Sequence, residues 1–225
     1  MPPSTQTEDD FDMPSAALVA FLRAVGWIVG KLAWGLQYKN KELIPEKDGG
    51  LLIVSNHQTY LDPYWICLPV LRPLRFMAWD RAFGWFFIGP AIRKLGAFPV
   101  NIEKGSVGSM KESLKVLRRG ETLVVFPEGS RAFADGKMLE FKDGAARLAI
   151  SAGVPVLPVT IIGGNKVWPR DTAFPKPHKV TVVYHEVIDA AEFLPDEDSR
   201  TRARELTKKL REVIGAALEP EQDQS

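Results

Sequence analysis

Residues 51–63 read LLIVSNHQTYLDP, and this stretch sets the predicted fold class. The apolar run Leu51–Ser55 is short and is followed by polar residues, which is typical of a buried strand. Asp62 and Pro63 then predict the start of a helix over 64–71, with Asp62 as its cap and Pro63 in the first helical position. A strand, a polar loop and a helix in this order indicate one unit of an α/β fold.

The same alternation of strand and helix patterns continues along the chain. The further predicted strands are Leu74–Trp79, Ala97–Asn101, Thr122–Phe126, Val156–Ile162 and Lys179–His185. The further predicted helices are Phe83–Lys94, Ser106–Arg119, Gly144–Ala152 and Asp198–Leu218. This alternation predicts a single α/β domain with a mostly parallel central sheet flanked by helices. We assign it to residues 38–218, since no repeat or linker divides them, and expect disorder at 1–14 and 219–225.

Residues 15–37 are apolar and favour an amphipathic helix that associates with a membrane. Its stripe, at steps of three or four residues, consists of Leu18, Leu22, Val25, Val29, Leu32 and Leu36. Arg23 and Lys31 interrupt the segment where a spanning helix carries no charge, and Trp27 and Trp34 suit the headgroup layer. We therefore predict an interfacial helix. The alternative is a helix that packs this stripe on the core of the domain.

Composition narrows the remaining classes of function and location. Lys plus Arg number 29 and Asp plus Glu 28, so charge gives no argument for a nucleic-acid partner. The single cysteine, Cys67, excludes an intramolecular disulfide, fits a reducing compartment and gives no metal-ligand spacing. The first residues are acidic, unlike the positive leader of a secretory signal. We therefore predict a peripheral or monotopic protein on the cytoplasmic face of the membrane.

The loop after the first strand carries a titratable histidine, His57, ahead of Asp62. Loops at the carboxyl ends of strands are where sites form in open α/β sheets. A continuous helix would place the two side chains about 140° apart, so they meet only across a turn. Asp62 would then hold one imidazole nitrogen while the other accepts a proton, as in a general base. The alternative is that Asp62 only caps the helix and His57 only bonds to the backbone.

A second polar cluster, FPEGSR at residues 126–131, also follows a predicted strand. Gly129 allows close approach of the backbone, nearby amides such as that of Ser130 can donate to an anion, and Arg131 matches phosphate geometry. We predict that Glu128 accepts hydrogen bonds from hydroxyl groups of the ligand. The alternatives are a buried ion pair between Glu128 and Arg131, or a turn without a ligand.

These two motifs, in this order and separation, resemble the phospholipid/glycerol acyltransferase family. The pattern Asn-His-x4-Asp at 56–62 is similar to the catalytic block of the family, and residues 126–131 are similar to its acceptor-binding block. Further similar blocks lie at 96–100, 141–145 and 154–159, so the resemblance covers about residues 51–164.

The resemblance implies a chemistry and a set of roles. His57 would be the general base and Asp62 its charge partner, while Glu128, Gly129, Ser130 and Arg131 would bind the acceptor. The donor would be acyl-CoA or acyl carrier protein, and the acceptor a lysophospholipid, 1-acylglycerol-3-phosphate, which would be converted to phosphatidate. The acceptor hydroxyl would attack the thioester directly, so the resemblance implies no acyl-enzyme, no metal and no cofactor.

The chain departs from the family pattern after Pro99. The family usually has an acidic residue and an arginine that grips the phosphate of the acceptor, whereas residues 100–104 read VNIEK. Ile102 cannot bind phosphate. We predict that Lys104 and Arg131 bind it instead, because residues 104–106 open a predicted helix whose amides favour anions. The alternative is a different acceptor, such as another lysolipid or a glycolipid.

Two further classes of function compete with acyl transfer. A lipid-binding membrane protein without turnover would need the interfacial helix but not the His–Asp pair. A thioester hydrolase would use the same base to activate water. A serine hydrolase and a P-loop nucleotide enzyme are unsupported, because the sequence has neither Gly-x-Ser-x-Gly nor Gly-x4-Gly-Lys-Ser/Thr.

Overall fold

The computed structural model describes residues 15–46, 49–72, 74–79, 84, 97–100 and 107–218. The helices are α1 (Ala16–Trp34), α2 (Asp62–Cys67), α3 (Val107–Arg118), α4 (Gly144–Ala152), α5 (Gly164–Val167) and α6 (Ser199–Ala216). The strands are β1 (Gln37–Lys39), β2 (Leu51–Ser55), β3 (Leu74–Trp79), β4 (Ala97–Val100), β5 (Thr122–Val125), β6 (Val156–Ile162) and β7 (Thr181–Tyr184). A short 3-10 helix, Lys41–Leu43, follows β1.

The described strands form one seven-stranded sheet in the order β1-β7-β6-β2-β5-β3-β4. Strand β2 pairs in parallel with β5 on one side and with β6 on the other, and β3 pairs in parallel with β5 and β4. Strand β7 is antiparallel to β6 and parallel to β1. The predicted α/β class with a mostly parallel central sheet is therefore confirmed.

The central strand β2 is apolar on both faces because helices cover both faces of the sheet. Leu52 and Val54 pack in a cluster that includes residues of α3, α4 and α6. Leu51 and Ile53 pack in a second cluster with Trp65 of α2 and with residues of β6 and β7. These four β2 side chains are 0% exposed, and burial of each contributes about 1.5–3 kcal/mol to folding. The loop after β2 therefore begins at the end of a rigid, fully buried strand.

Several predicted boundaries agree with the structure and others need correction. Helix α4 and strands β2, β3 and β6 have the predicted bounds. The predicted helix 15–37 ends at Trp34, because Gly35 takes a left-handed φ of 49° and the unpredicted strand β1 follows. The predicted helix over 64–71 ends at Cys67, since Pro69 lacks an N–H group and cannot continue the ladder. The predicted helix Phe83–Lys94 lies outside the described residues.

Helix α1 contacts the domain through two buried glycines and Trp34, and leaves half of the predicted stripe exposed. Gly26 and Gly30 are buried, and a Cβ atom at Gly26 would lie 2.2 Å from the hydroxyl oxygen of Tyr64. That hydroxyl donates to the carbonyl oxygen of Leu22 at 2.9 Å. Leu32, in contrast, is 82% exposed. The stripe is therefore divided, since Val25, Val29 and Leu32 are exposed whereas Leu36 packs in the core. By length and composition α1 could cross a bilayer.

Candidate active site

Three loops converge at the carboxyl ends of neighbouring strands in the centre of the sheet. The loop 56–61 follows β2, the turn 126–131 follows β5, and the turn at Gly163 follows β6. The amide of Asn56 donates to the carbonyl oxygen of Ile161 at 2.9 Å, and its oxygen accepts from the Ile161 N–H at 2.8 Å. These two hydrogen bonds fix the start of the loop 56–61 to strand β6.

His57 and Asp62 meet across the turn, as the sequence predicts. The Nδ1 atom of His57 lies 2.8 Å from Oδ2 of Asp62. The Asp62 side chain is fully buried, whereas that of His57 is 19% exposed. Because a carboxylate only accepts hydrogen bonds, Nδ1 carries the hydrogen of the neutral ring and Nε2 carries the lone pair. The ring can therefore take up a proton at Nε2 while Asp62 stabilises the charge that forms.

The carboxylate of Asp62 faces back towards its own loop rather than forward into the helix. Its Oδ2 atom accepts from the N–H groups of Gln58 at 2.5 Å and Thr59 at 2.8 Å, and its Oδ1 atom accepts from the Thr59 hydroxyl at 3.1 Å. Leu61 occupies the cap position of α2, and Asp62 is the first helical residue. The prediction that Asp62 caps α2 is thus wrong, because its oxygens are engaged by the loop donors.

The imidazole ring of His57 stacks on Phe126, the first residue of the turn after β5. The two ring centroids are 4.1 Å apart and the ring planes are inclined by 20°. The stack and the bond to Asp62 hold the plane of the imidazole from two directions. Phe126 was predicted as the end of a strand and the start of the second cluster, and no feature of the sequence marked it as a neighbour of His57.

Glu128 ties the two loops together. It is 5% exposed; its Oε1 atom accepts from the N–H of His57 at 2.7 Å, and its Oε2 atom accepts from the N–H of Leu139 at 2.7 Å. Burial raises the pKa of Glu128, and the two backbone hydrogen bonds oppose that rise. Both oxygens are thus engaged by backbone, which ties the His57 loop to the segment at Leu139. The predicted contact with a ligand hydroxyl stays a prediction.

A Glu128→Gln variant should separate these two roles. Glutamine offers one accepting oxygen, so one backbone N–H loses its acceptor at a cost of about 1–3 kcal/mol of folding free energy. We expect a lower melting temperature and a kcat lowered roughly tenfold to a hundredfold, because the His57 backbone shifts. The KM for the acceptor should change little. A raised KM with an unchanged melting temperature would instead place the carboxylate on the acceptor.

Basic side chains flank the turn of the second cluster. The guanidinium carbon of Arg131 lies 3.8 Å from the centroid of the Tyr60 ring. Gly129 has a φ of 70°, and a Cβ atom there would lie 3.0 Å from Nζ of Lys142. Within the described part of the chain, Arg131 forms no ion pair with Glu128, so that alternative is not observed. Lys142, which lies in one of the blocks similar to the family, adds a second cation at this turn.

The other predicted site residues are placed as follows. Ser130, between Gly129 and Arg131, is half-buried. Lys104 and Ile102 lie outside the described residues, so the predicted phosphate contact of Lys104 stays a prediction. Over the described ranges, no group of three or more His, Cys, Asp or Glu side chains could hold a metal ion.

An apolar cavity of about 220 Å³ opens beside the second loop. It is lined by Ser109, Met110, Ser113, Val125, Phe126, Pro127, Gly129, Lys142, Gly144, Ala145 and Leu148. These residues come from α3, from the end of β5 and its turn, from α4, and from the segment just before α4, which contributes Lys142. Because Phe126 lines the cavity and stacks on His57, the cavity reaches the neighbourhood of the imidazole.

Fold and site together define a class of protein. It is an α/β protein with a His–Asp pair at a strand end, arranged to take a proton from a hydroxyl group or from water. The comparison with protein families makes the assignment specific, because the model of the family described as Acyltransferase matches residues 35–162. The chain belongs to this acyltransferase family, which confirms the resemblance stated from the motifs.

Curated relatives and a solved structure agree with this assignment. The chain is 29% identical over 193 residues to the 1-acyl-sn-glycerol-3-phosphate acyltransferase of Bacillus subtilis, covering 83% of this chain and 90% of that protein. It is 32% identical over 161 residues to the chloroplastic 1-acyl-sn-glycerol-3-phosphate acyltransferase BAT2 of Brassica napus, covering 69% of this chain and 46% of that protein. The chain thus spans about half the length of the chloroplastic relatives that it matches.

A similar solved structure is the crystal structure of the 1-acyl-sn-glycerophosphate acyltransferase PlsC from Thermotoga maritima. It aligns with a TM-score of 0.76 at 28% identity, and the alignment covers 91% of this chain and 80% of that one. The similarity therefore extends over nearly the whole α/β domain rather than over the motifs alone.

Proposed function

We propose that the protein is an O-acyltransferase that moves a fatty acyl group from acyl-CoA or acyl carrier protein to the free hydroxyl of 1-acylglycerol-3-phosphate. The product is phosphatidate, for phospholipid synthesis. The observation that carries the proposal is the 2.8 Å contact between His57 Nδ1 and buried Asp62, which leaves Nε2 as the proton acceptor. The names of the relatives in Bacillus subtilis and Brassica napus support the choice of acceptor.

The geometry supports a direct transfer. Nε2 of His57 takes the proton of the acceptor hydroxyl as the oxygen attacks the carbonyl carbon of the thioester. The new C–O bond forms, the C–S bond breaks, and the proton passes from the imidazolium to the leaving thiolate. Asp62 stabilises the imidazolium through its bond to Nδ1. All atoms are accounted for by the two substrates and the imidazole, so the step requires no acyl group on the protein.

The surroundings of His57 suit the two substrates. Arg131 and Lys142 supply positive charge for the phosphate of the acceptor, and Lys104 is proposed as a further contact to it. The apolar cavity beside Phe126 suits methylene groups of the acyl chain. Another lysolipid or a glycolipid remains the second candidate acceptor, because Ile102 stands where the family usually has an arginine.

The test is transfer of a labelled acyl group from acyl-CoA, and separately from acyl carrier protein, to lysophosphatidate in mixed vesicles. Labelled phosphatidate is the expected product with at least one donor. Product with a different lysolipid only would replace the acceptor, and equally fast loss of thioester without any acceptor would indicate a hydrolase. Absence of turnover with every donor and acceptor would favour a lipid-binding protein.

The exposed face of α1 supports a location at a membrane surface, proposed as the cytoplasmic face. Phe21 is 64% exposed, Ile28 61% and Leu32 82%, and the face also carries Lys31. An apolar helix face with a cation at its border suits insertion into the headgroup layer.

Replacing Ile28 and Leu32 together by glutamate should weaken binding to vesicles roughly a hundredfold, because each buried aliphatic side chain contributes at least about 1.5 kcal/mol. Co-sedimentation with vesicles that contain anionic lipid measures the effect. Phe174→Glu is the matched control, since Phe174 is 79% exposed but lies outside α1. Equal binding of all three proteins would contradict a membrane role for α1.

A further inference from the structure

Tyr60 is a large aromatic residue in the middle of the candidate catalytic loop, and it is 60% exposed. It follows Thr59, whose N–H and hydroxyl both donate to Asp62, and it precedes Leu61, whose N–H donates to the Thr59 hydroxyl at 2.8 Å. The backbone of Tyr60 is therefore fixed by the same hydrogen bonds that hold Asp62. Because the ring of Tyr60 is exposed, it contributes little to the packing of the core. Its fixed position on a site loop suggests a role in binding.

Two neighbours hold the ring in place. The guanidinium of Arg131 lies over one face at 3.8 Å from the ring centroid. Trp168 meets the ring edge-on, with centroids 5.6 Å apart and planes inclined by 76°. Trp168 is itself anchored, because its indole N–H donates to the carbonyl oxygen of Thr172 at 3.0 Å. The ring is thus a fixed platform between a tryptophan and an arginine.

The contact with Tyr60 uses the face of the guanidinium and none of its hydrogen-bond donors. The five N–H groups of arginine lie in the plane of the group, so stacking on a ring orients them without engaging them. Across the described residues, Arg131 donates no hydrogen bond, and its buried Nη1 atom has no partner. Buried donors normally have a hydrogen-bond partner. Arg131 is therefore held in one orientation while its N–H donors remain available for a ligand.

An arginine in that state suits a phosphate monoester, whose oxygens match the guanidinium fork. We propose that Tyr60 is the positioning residue that orients Arg131 for the phosphate of the acceptor, so that Tyr60 sets the preference for phosphate-bearing over uncharged acceptors. This inference rests on the proposed function. It couples the two halves of the site, because one loop places both the imidazole base and the platform for the anion-binding arginine.

The test compares the parent chain with Tyr60→Leu, which keeps an apolar side chain but removes the ring, and with Tyr60→Phe, which keeps the ring. For transfer to lysophosphatidate, Tyr60→Leu should raise KM roughly fivefold to thirtyfold with kcat nearly unchanged. Transfer to monoacylglycerol, which lacks the phosphate, should keep its KM. Tyr60→Phe should behave as the parent does with both acceptors.

Calorimetric binding of a short-chain, water-soluble lysophosphatidate keeps the inference testable apart from catalysis. Tyr60→Leu should weaken this binding by the same factor, and binding of short-chain monoacylglycerol should not change. If the parent transfers no acyl group to any acceptor, the proposed function fails, and the binding comparison still decides the role of Tyr60. An unchanged affinity for lysophosphatidate in Tyr60→Leu, or an equal loss for both ligands, would overturn the inference.

Discussion

A His57→Ala variant should fold normally and lose acyl transfer, with kcat lowered by about a thousandfold to ten thousandfold or more. In the proposed mechanism Nε2 takes the proton of the acceptor, and alanine leaves no group to replace it. The folding cost should be small, since the side chain is 19% exposed and the ties from the His57 backbone to Glu128 and Ala132 remain.

The control for this variant is His178→Ala. His178 lies before β7, and its ring nitrogen lies 2.9 Å from the carbonyl oxygen of the next residue, Lys179. Its removal should leave kcat within a factor of about two, as for other surface substitutions. Steady-state transfer rates measure the activity of both variants, and circular dichroism shows whether they are folded. Transfer by His57→Ala at the parent rate would exclude His57 as the base.

An Asp62→Asn variant should lose both activity and stability. The amide NH2 group would face donors from His57, Gln58 and Thr59, so at least one donor would be left without an acceptor. We expect unfolding to become easier by about 1–3 kcal/mol. The asparagine would also favour the opposite tautomer of His57, with the proton on Nε2, and in a serine protease that change lowers kcat about ten thousandfold.

Thermal unfolding and transfer kinetics measured on the same preparation separate the two effects of Asp62→Asn. The melting temperature should fall by about 2–4 °C for each kcal/mol lost in a chain of this size. Asp135→Asn is the matched control, because Asp135 is exposed, its ion pair with Lys137 is long at 3.8 Å, and an asparagine oxygen can still accept from the Lys137 N–H. A variant that keeps its rate despite a lower melting temperature would show that Asp62 serves the fold and not the base.

The sequence predicted those parts of the fold and site that depend on local patterns. The apolar run of β2 and the Asp-Pro pair of α2 bracket the loop 56–61, so the sequence predicted that His57 and Asp62 could meet across a turn. The arginine of the second cluster was also found from its place after a strand. In each case the pattern that allows the prediction lies within a few neighbouring residues.

The remaining features depend on contacts between distant segments. The bonds from His57 and Leu139 to Glu128 join positions 71 and 11 residues away along the chain. A single sequence does not show that two backbone N–H groups will donate to the Glu128 carboxylate. From the sequence, Glu128 was therefore predicted to contact a ligand. Strand β1 was missed for a similar reason, since three residues acquire strand geometry only by pairing with β7.

The central position of β2 has a consequence for local opening of the domain. Amide hydrogens inside a fully buried strand that is paired on both edges exchange with solvent only when the whole domain opens. His57 follows the last residue of this strand, Ser55, by two positions, so its backbone is anchored next to a strand that is paired on both edges. Helix α1 buries few side chains and can exchange by local opening alone. Local opening of α1 should therefore leave the backbone of His57 in place.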